Sequence, residues 1–376
     1  MNYSIYLTDS CNLNCKYCYE KNMHANTEIK LEVVQKLIDR EIKNKTKQCI
    51  LTFFGGEPLL KKELIYEIAE YIDSKKSKTQ FLYNITTNGT LIDDKFIRFV
   101  QTHSFIAFSI SIDGLEEVQN QNRVYQNQSA TYSFVESNTK KLLEKTDIPI
   151  AVPVVTKNNE QFLLDNVENL LKLGFHKINF QFDLTAKWKD EDLIILRKGF
   201  EQIADLYMMK MREEKEFDIL AIDEKINSYI DEKINVNDNC SVGLRGANVG
   251  TNGKIYPCMQ FMYDDRYEIG DCNTGIDKEK QRKVNLELKQ ELEECKECSY
   301  RKRCNHTCSC INNAFSGKAN ETAPFTCEIE RMMIEIADDI AEKMYAEKNS
   351  VFMQKFYNGA YRNIENKINN LNKGKK

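Results

Sequence analysis

Apolar runs alternate with amphipathic segments over the first 215 residues of the chain. Apolar residues recur at helical spacing in 31–42 and 64–72, and the helical pattern around 161–173 ends at Gly174, a typical stop signal. Six runs rich in β-branched and aromatic residues predict strands between such helices, at 3–7, 49–54, 81–86, 105–112, 148–155 and 177–182. Strand–helix units in series predict a parallel sheet with right-handed crossovers. Because eight units close a full barrel, we expect an α/β fold with an open, partial (β/α)6 TIM-like barrel.

The rest of the chain follows other patterns. After a first domain at 1–215, the charged residues 216–239 predict a helical linker. Residues 240–330 are rich in cysteine and turn signals, which predicts a separate domain, and residues 331–376 predict a helical tail. No apolar run reaches the length of a membrane span, and the N-terminus lacks the pattern of a signal peptide.

Charge and cysteine usage narrow the class of protein. The 53 Lys and Arg residues nearly balance the 57 Asp and Glu residues, which gives no electrostatic footprint for nucleic acid. We expect a cytoplasmic protein, in which thiols are mostly reduced. The 13 cysteines are clustered, three at 11–18 and the others, apart from Cys49, between 240 and 327. Such clusters favour metal binding over disulfides, whereas Cys49 in an apolar strand is expected in the core.

Small and polar residues follow the predicted strands at the point where each one ends. In barrel-like folds the carboxyl ends of the strands carry the active site, so these residues are expected to meet at one rim. In strand order they are Cys11, Cys15 and Cys18, then Gly55, Gly56, Glu57 and Pro58, then Thr87, Asn88 and Gly89, then Ser111, Asp113 and Gly114, and finally Thr156 and Asn158.

The three early cysteines fit a cluster better than zinc. A four-iron cluster held by three thiolates keeps one iron open for a ligand. A structural zinc ion needs four protein ligands, and the nearest further candidate is His24. Gly55 and Gly56 either allow close approach of backbone to a ligand or form a simple tight turn. Glu57 can accept a hydrogen bond from a ligand ammonium group.

The motif C-x3-C-x2-C after the first strand, GGEP after the second and the six-fold pattern together resemble the radical S-adenosylmethionine enzymes over residues 1–215. The resemblance implies that Cys11, Cys15 and Cys18 hold a 4Fe–4S cluster whose open iron chelates S-adenosylmethionine. Electron transfer from the cluster would release a 5′-deoxyadenosyl radical that abstracts hydrogen. The implied S-adenosylmethionine contacts are Tyr17, Gly55, Gly56, Glu57, Asn88, Ser111, Asp113 and Arg123.

The second cysteine region resembles a SPASM domain, which carries auxiliary iron–sulfur clusters. This resemblance implies two auxiliary 4Fe–4S clusters, three clusters in all, whereas a zinc ribbon would explain only four of the cysteines. One set of ligands would be Cys295, Cys298, Cys304 and Cys327. The other would be Cys240, Cys258 and Cys308, with Cys272 as the favoured fourth ligand and an iron left open for substrate as the alternative. Cys310 exceeds the pattern.

Three functions compete. The first is a maturase of a ribosomally made peptide, acting by oxidative crosslinking to a Cys thioether or a C–C bond, or by epimerisation. The second is an anaerobic sulfatase maturase that forms formylglycine. Those maturases carry an Asp base directly after the cysteine that matches Cys258, where this chain has Met259, and methionine cannot take a proton. The third is a non-catalytic electron-transfer protein. Such a protein needs no cofactor pocket, so the motifs at the rim argue against it. We expect crosslinking, because two auxiliary clusters suit a reaction that disposes of an electron.

The expected partners are a precursor peptide and a reductant such as flavodoxin or ferredoxin, with no nucleic acid and no membrane. Cys11 comes so early that we expect no leader-binding domain before the barrel. A separate leader-binding protein or the barrel surface would then recognise a leader.

Overall fold

The computed structural model describes residues 1–20, 27–183, 186–234, 243–288, 292–305, 308–319, 321–322 and 324–357. The predictions for His24 and Cys240 lie outside these residues, and so does the prediction for the side chain of Cys310.

The strands of the described ranges form one large sheet and one small pair. In chain order they are β1 (Asn2–Thr8), β2 (Gln48–Gly55), β3 (Gln80–Thr87), β4 (Phe105–Ile110), β5 (Pro149–Ala151), β6 (Val154–Val155), β7 (Lys177–Ile178), β8 (Gln181–Phe182), β9 (Asp218–Ile219), β10 (Gly246–Val249), β11 (Lys254–Tyr256), β12 (Gly270–Asp271) and β13 (Gly275–Ile276). The large sheet has the order β13-β12-β11-β10-β1-β2-β3-β4-β5-β7-β9, and β6 pairs with β8.

The central part of the sheet is parallel, as the sequence predicts. Neighbours from β10 through β1 to β9 are all parallel, whereas β10, β11, β12 and β13 pair antiparallel. Within the described residues the sheet is open, with β13 and β9 at its edges. The predicted strand at 148–155 is split into β5 and β6 around Pro153, which has no N–H to donate to a ladder.

The helices lie between the parallel strands and in the C-terminal part. They are α1 (Leu31–Lys43), α2 (Lys62–Ser74), α3 (Asp94–Thr102), α4 (Glu116–Asn122), α5 (Tyr132–Leu143), α6 (Leu163–Leu173), α7 (Asp190–Arg212), α8 (Leu220–Ile230), α9 (Lys278–Leu288), α10 (Ser309–Ser316), α11 (Pro324–Ala346) and α12 (Ser350–Phe352). Gly174 ends α6 with a φ of 104°, which confirms it as the predicted stop. No helix in the described ranges is long and apolar enough to cross a membrane.

The two faces of the sheet have different partners. Tyr3, Ile5 and Leu7 of β1 belong to the main hydrophobic core, which also contains the fully buried Cys49 of β2. Tyr6 lies on the opposite face of β1 in a second, small core. The alternation therefore separates the face of β1 in the main core, which also contains residues of α1 and α2, from the face in the small core.

The sheet continues across the regions that the sequence pattern separates. β9 and α8 lie in the predicted linker at 216–239, β9 pairs with β7, and α8 packs against α11. β10 pairs with β1 and brings the cysteine-rich region beside the first cysteine loop. The division into domains at 215 and 240 stays a sequence-based prediction.

Candidate active site at the carboxyl rim of the sheet

The loop after β1, which carries the first three cysteines, is held by the segment 122–126. The backbone N–H of Asn14 donates to the carbonyl oxygen of Val124 at 2.7 Å, and that of Lys16 donates to the carbonyl oxygen of Asn122 at 2.9 Å. The sequence analysis identified only Arg123 of this segment, because the other residues have no distinctive spacing. We call residues 10–19 the cysteine loop.

The three thiols of the cysteine loop lie close to one another, and all are partly buried. The pKa of the Cys11 thiol is raised to about 12, mainly by burial and to a smaller extent by the nearby Glu57, Cys15 and Cys18. Within the described ranges, no three His, Cys, Asp or Glu side chains are placed to hold a single metal ion. Three thiols on one short loop match the donor set of an iron–sulfur cluster, whose positive irons favour the thiolate form.

Gly55 and Gly56 bring the end of β2 against the start of the cysteine loop. The backbone N–H of Gly56 donates to the carbonyl oxygen of Thr8 at 2.9 Å, and that of Glu57 donates to Ser10 at 2.9 Å. A Cβ atom at either glycine would overlap one of these two carbonyl oxygens. The sequence suggests a close approach between this backbone and a ligand. In the structure, the close approach is between the end of β2 and the backbone of residues 8–10.

Glu57 is buried and joins the ends of β2 and β3. One carboxylate oxygen accepts hydrogen bonds from the Thr87 hydroxyl at 2.6 Å and the Leu59 N–H at 2.9 Å, and the other accepts from the Asn88 N–H at 2.7 Å. Burial raises the pKa of Glu57 to about 7, against these three bonds, which lower it. A carboxylate has about four acceptor positions, so one remains for a further donor.

Asn88 and Ser111 lie at the same rim. The Asn88 side-chain amide donates to the Asn12 side chain at 2.8 Å and lies 3.9 Å from the sulfur of Cys11. The backbone N–H of Ser111 donates to the carbonyl oxygen of Thr87 at 2.9 Å, which places this partly exposed serine beside the end of β3. Asn88 therefore lies beside both Glu57 and the cysteine loop, and Ser111 lies beside Thr87, a partner of Glu57.

Tyr17, Asp113 and Arg123 contact one another. The hydroxyl of Tyr17 donates to one carboxylate oxygen of Asp113 at 2.6 Å, and the guanidinium of Arg123 binds the other at 3.0 Å. All three side chains are buried. We call this group the Tyr17 triad.

Three cysteines of the C-terminal region also come together. The pKa of Cys295 is raised to about 11, mainly by burial and to a smaller extent by the nearby Cys327, Glu294 and Cys298. The pKa of Arg331 on α11 is raised mainly by Glu328 and, to a smaller extent, by Cys298 and Cys327, which places Arg331 beside both cysteines. Cys304 is partly exposed and lies on the loop between Cys298 and α10. The grouping of Cys295, Cys298 and Cys327 fits one predicted auxiliary cluster.

Cys258 and Cys308 are brought together by the elements that follow them. The 3-10 turn Met259–Phe261 begins directly after Cys258 and packs against α10, which begins directly after Cys308. Cys240, the third predicted ligand of this cluster, lies outside the described residues.

The structure places Cys272 at a different point. The N–H of Cys272 donates to the carbonyl oxygen of Gly253 at 2.8 Å, just before β11, whereas Cys258 follows the other end of β11. At about 3.3 Å per residue, Gly253 and the end of β11 at Tyr256 are already about 10 Å apart. Cys272 is buried beside Arg40 of α1, which donates to its carbonyl oxygen. The distance from the end of β11 favours a cluster of Cys258 and Cys308 without Cys272, and this ligand set stays a prediction.

Met259 faces the cysteine loop. Its sulfur accepts a hydrogen bond of 3.3 Å from the hydroxyl of Tyr19, the residue after Cys18. Met259 packs against the small core of Tyr6, Tyr256 and Met262. The position at which the sulfatase maturases carry a base is therefore next to the predicted cluster, and it is occupied here by a thioether.

Two buried carboxylates near Met259 were not identified from the sequence. Glu20 accepts a hydrogen bond of 3.0 Å from the Tyr6 hydroxyl, and burial raises its pKa to about 7. Asp9 accepts from the Tyr263 hydroxyl at 2.6 Å and from Thr251 at 2.9 Å. Their closeness to a cysteine motif was a usable signal, but acidic residues in loops are too common to single out.

The model of the Radical SAM superfamily matches residues 5–194, half of the chain. The chain belongs to the radical SAM superfamily. This confirms the prediction of an enzyme of this family, which implies S-adenosylmethionine and a 4Fe–4S cluster as cofactors. The match includes the cysteine loop, the two glycines and the Tyr17 triad.

Two curated relatives differ in how much of the chain they cover. An uncharacterized protein of Methanocaldococcus jannaschii is 34% identical over 192 residues, 50% of this chain and 64% of that protein, a little under two thirds of its length. A cysteine-type anaerobic sulfatase-maturating enzyme of Clostridium perfringens is 25% identical over 332 residues, 80% of this chain and 86% of that enzyme. The radical SAM chain therefore resembles a maturase well beyond the superfamily region.

Two solved structures share the fold. Native anSMEcpe with bound AdoMet superposes with a TM-score of 0.80 at 21% identity, over 91% of this chain and 99% of that one. Streptococcus suis SuiB bound to the precursor peptide SuiA gives a TM-score of 0.62 at 17% identity, over 87% and 75% of the two chains. These matches confirm the α/β fold class with a parallel radical SAM core and a cysteine-rich C-terminal region.

The hydrogen bonds of Glu57 lead to a testable expectation for this radical SAM enzyme. Replacing Glu57 by Ala should lower the free energy of unfolding by about 1.5–3 kcal/mol, because three buried donors lose a charged acceptor. If the free acceptor position contacts the methionine ammonium group, the free energy of S-adenosylmethionine binding should also become less favourable by about 1.5–3 kcal/mol. Denaturant unfolding and calorimetric titration measure the two effects separately.

Thr87→Val is the matched control for Glu57→Ala. It removes one hydrogen bond and leaves the carboxylate in place. Its S-adenosylmethionine affinity should match that of the parent enzyme. Equal affinity in both variants would show that Glu57 only joins β2 to β3.

Proposed function

We propose that this radical SAM enzyme modifies a ribosomally made peptide by oxidative crosslinking, forming a Cys thioether or a C–C bond. The observation that carries the proposal is Met259, which lies against Tyr19 of the cysteine loop. A thioether cannot take a proton, so formylglycine formation lacks a base at this position. Crosslinking suits a protein whose cysteine-rich region, beside the sheet, is proposed to hold auxiliary clusters.

Formylglycine formation is the second candidate. It is supported by the identity with the Clostridium perfringens sulfatase-maturating enzyme over 80% of this chain. It requires another residue to act in place of Met259. Peptide epimerisation is the third candidate, but it is redox-neutral and has less use for auxiliary clusters.

The residues proposed to hold the cofactors follow from the geometry of the rim. Cys11, Cys15 and Cys18 would hold the radical SAM cluster, and the rim around Gly55, Asn88 and Ser111 would bind S-adenosylmethionine. When bound, the radical SAM cluster and S-adenosylmethionine would supply the 5′-deoxyadenosyl radical, and an auxiliary cluster would accept the surplus electron. The protein orients the peptide, excludes water and keeps the cysteine loop in one arrangement.

The proposed auxiliary clusters use the other cysteines. Cys295, Cys298, Cys304 and Cys327 would hold one cluster, and three of them lie together. Cys258 and Cys308 would hold the second, with Cys240 as a further ligand. Cys272 is omitted from this set because of its position beside α1.

The proposed partner is a precursor peptide. The Streptococcus suis structure contains the peptide SuiA, and another structural match is anSMEcpe with the Kp18Cys peptide, with a TM-score of 0.79 at 22% identity. A flavodoxin or ferredoxin reductant, a separate leader-binding protein and a cytoplasmic location belong to the same proposal.

The test is mass spectrometry of a short peptide encoded beside the gene, after anaerobic turnover with reductant and S-adenosylmethionine. Crosslinking should remove two hydrogens from the peptide, about 2 Da. For a thioether, one Cys should also stop reacting with an alkylating reagent. One hydrogen atom leaves with the cofactor-derived radical, and the other leaves as a proton while its electron passes to the acceptor.

Two other products would contradict crosslinking. An unchanged mass with uptake of solvent deuterium at one residue would establish epimerisation. An aldehyde formed from Cys or Ser in a sulfatase-derived peptide would establish formylglycine formation despite Met259. The same assay with Met259→Leu should leave crosslinking intact, because the proposal gives Met259 no role in proton transfer.

A further inference from the structure

The sequence analysis assigned all three residues of the Tyr17 triad to S-adenosylmethionine, but in the structure their polar groups bind one another. Both oxygens of the Asp113 carboxylate are engaged, since the Tyr17 hydroxyl binds one, and Arg123 and the backbone N–H of Val154 bind the other. Asp113 is only 1% exposed. Because both Nε and Nη2 of Arg123 lie 3.0 Å from the same oxygen, four donor groups occupy the about four acceptor positions of this carboxylate, which leaves little capacity for a ribose hydroxyl.

Arg123 is also committed to protein partners. Its guanidinium binds Asp113 at 3.0 Å, donates to the carbonyl oxygen of Val152 at 3.4 Å and lies 5.2 Å from the centre of the Tyr17 ring. Only 5% of Arg123 is exposed. Asp113 compensates its buried charge, and removing either partner would leave the other charge unpaired.

The triad reaches the cysteine loop through Tyr17. Tyr17 lies between Cys15 and Cys18 in the sequence, directly before Cys18. Arg123 belongs to the segment 122–126, which already binds the loop through backbone hydrogen bonds. The triad therefore holds the part of the loop that carries two of the three thiols.

The Asp113 end of the triad is rigid. The backbone N–H of Asp113 donates to the Gln119 side chain at 2.9 Å. The next residue, Gly114, has a φ of 119°, and a Cβ atom there would overlap the Asn166 side chain. Since Asp113 has a fixed position at the end of β4, its hydrogen bond to Tyr17 transmits that position to the cysteine loop.

We propose that Tyr17, Asp113 and Arg123 are positioning residues for the radical SAM cluster, which act through the cysteine loop and do not contact S-adenosylmethionine. Their role is to fix the relative arrangement of the three thiolates. The inference concerns the cluster loop and holds whether the product is a crosslink or formylglycine, so its test does not require the peptide substrate.

The test compares Tyr17→Phe with Tyr132→Phe in the reconstituted full chain. Tyr17→Phe removes only the hydroxyl that binds Asp113. Tyr132 is also buried, and its hydroxyl binds Asn169 away from the cysteine loop, so Tyr132→Phe is the matched control. Three properties are measured: iron release to a chelator without S-adenosylmethionine, the electron paramagnetic resonance spectrum with and without it, and its dissociation constant.

A positioning role predicts changes before any cofactor is added. Tyr17→Phe should release about four irons per chain about 10-fold faster than the control, the lower end of the effect of outer-shell partners on metal affinity. The spectrum of the S-adenosylmethionine-free enzyme should change as well. The double variant with Tyr17→Phe and Arg123→Lys should release iron as fast as the faster of the two single variants, because both changes act on the same triad.

Two outcomes would overturn the proposal. In the first, iron release and the cofactor-free spectrum are unchanged, while the dissociation constant of S-adenosylmethionine rises in Arg123→Lys and Asp113→Asn, as direct contacts require. In the second, Tyr17→Phe matches Tyr132→Phe in all three measurements. Thermal unfolding of each variant without iron separates a global loss of stability from an effect on the cluster.

Discussion

Replacing Cys11, Cys15 and Cys18 together by Ala should abolish S-adenosylmethionine cleavage and lower the iron content from about 12 to about 8 atoms per chain. The three proposed clusters of four irons account for the first number, and loss of the radical SAM cluster accounts for the second. Cleavage requires an electron from that cluster, so the expected loss of activity is complete. Iron analysis after anaerobic reconstitution and detection of 5′-deoxyadenosine measure the two effects.

Other cysteines provide the controls for iron counting. Cys49→Ala should keep about 12 irons, because Cys49 is fully buried in the main core and belongs to no cysteine cluster. Cys258→Ala should lower the content to about 8, whereas Cys272→Ala should keep about 12, since Cys272 lies beside Arg40. A preparation that contains only zinc and retains full activity would contradict the cluster assignment.

Gly56→Ala should give the second large effect. The added Cβ atom would overlap the carbonyl oxygen of Ser10 and lie 2.8 Å from that of Asp9. Because both atoms belong to the backbone at the start of the cysteine loop, relief requires the loop to move away from β2. We expect a loss of about 1–3 kcal/mol in stability, as for overpacking, together with weaker cluster retention.

Gly246→Ala is the matched control for Gly56→Ala. Gly246 lies in β10 beside β1, and its nearest neighbour would be 3.6 Å from the new Cβ atom, an ordinary contact. Its effect on stability should be within about 0.5 kcal/mol. Denaturant unfolding and iron content are measured for both variants. Equal results would mean that the end of β2 and the cysteine loop adjust without cost.

Local patterns in the sequence predicted the elements that depend on periodicity. β1 to β4 are long enough for alternating or continuous apolar residues to be recognised, and α1 and α2 carry apolar faces at helical spacing. Gly174 is a stop signal that acts within one turn. The three-cysteine motif is equally local, because all its ligands lie on one loop. For these features, the relevant physical interactions join residues that are close in the chain.

Tertiary structure alone decided which side chains meet. β9 and β10 have two and four residues, too few for a period, and they join the sheet through pairing with β7 and β1. Thr87, a partner of Glu57, comes from β3, and the hydroxyl of Tyr17 reaches a carboxylate 96 positions away.

The same holds for the surroundings of Cys272. Cys272 fits the cysteine pattern by spacing, but the antiparallel register of β11 and β12 carries it to α1. A motif states which donors a loop contains, whereas strand register and burial determine the direction in which each donor points. The sequence by itself therefore determined the family, the fold class and the candidate ligands of this protein. Only the packed sheet decided which of those residues face a cofactor and which bind one another, because those contacts join residues far apart in the chain.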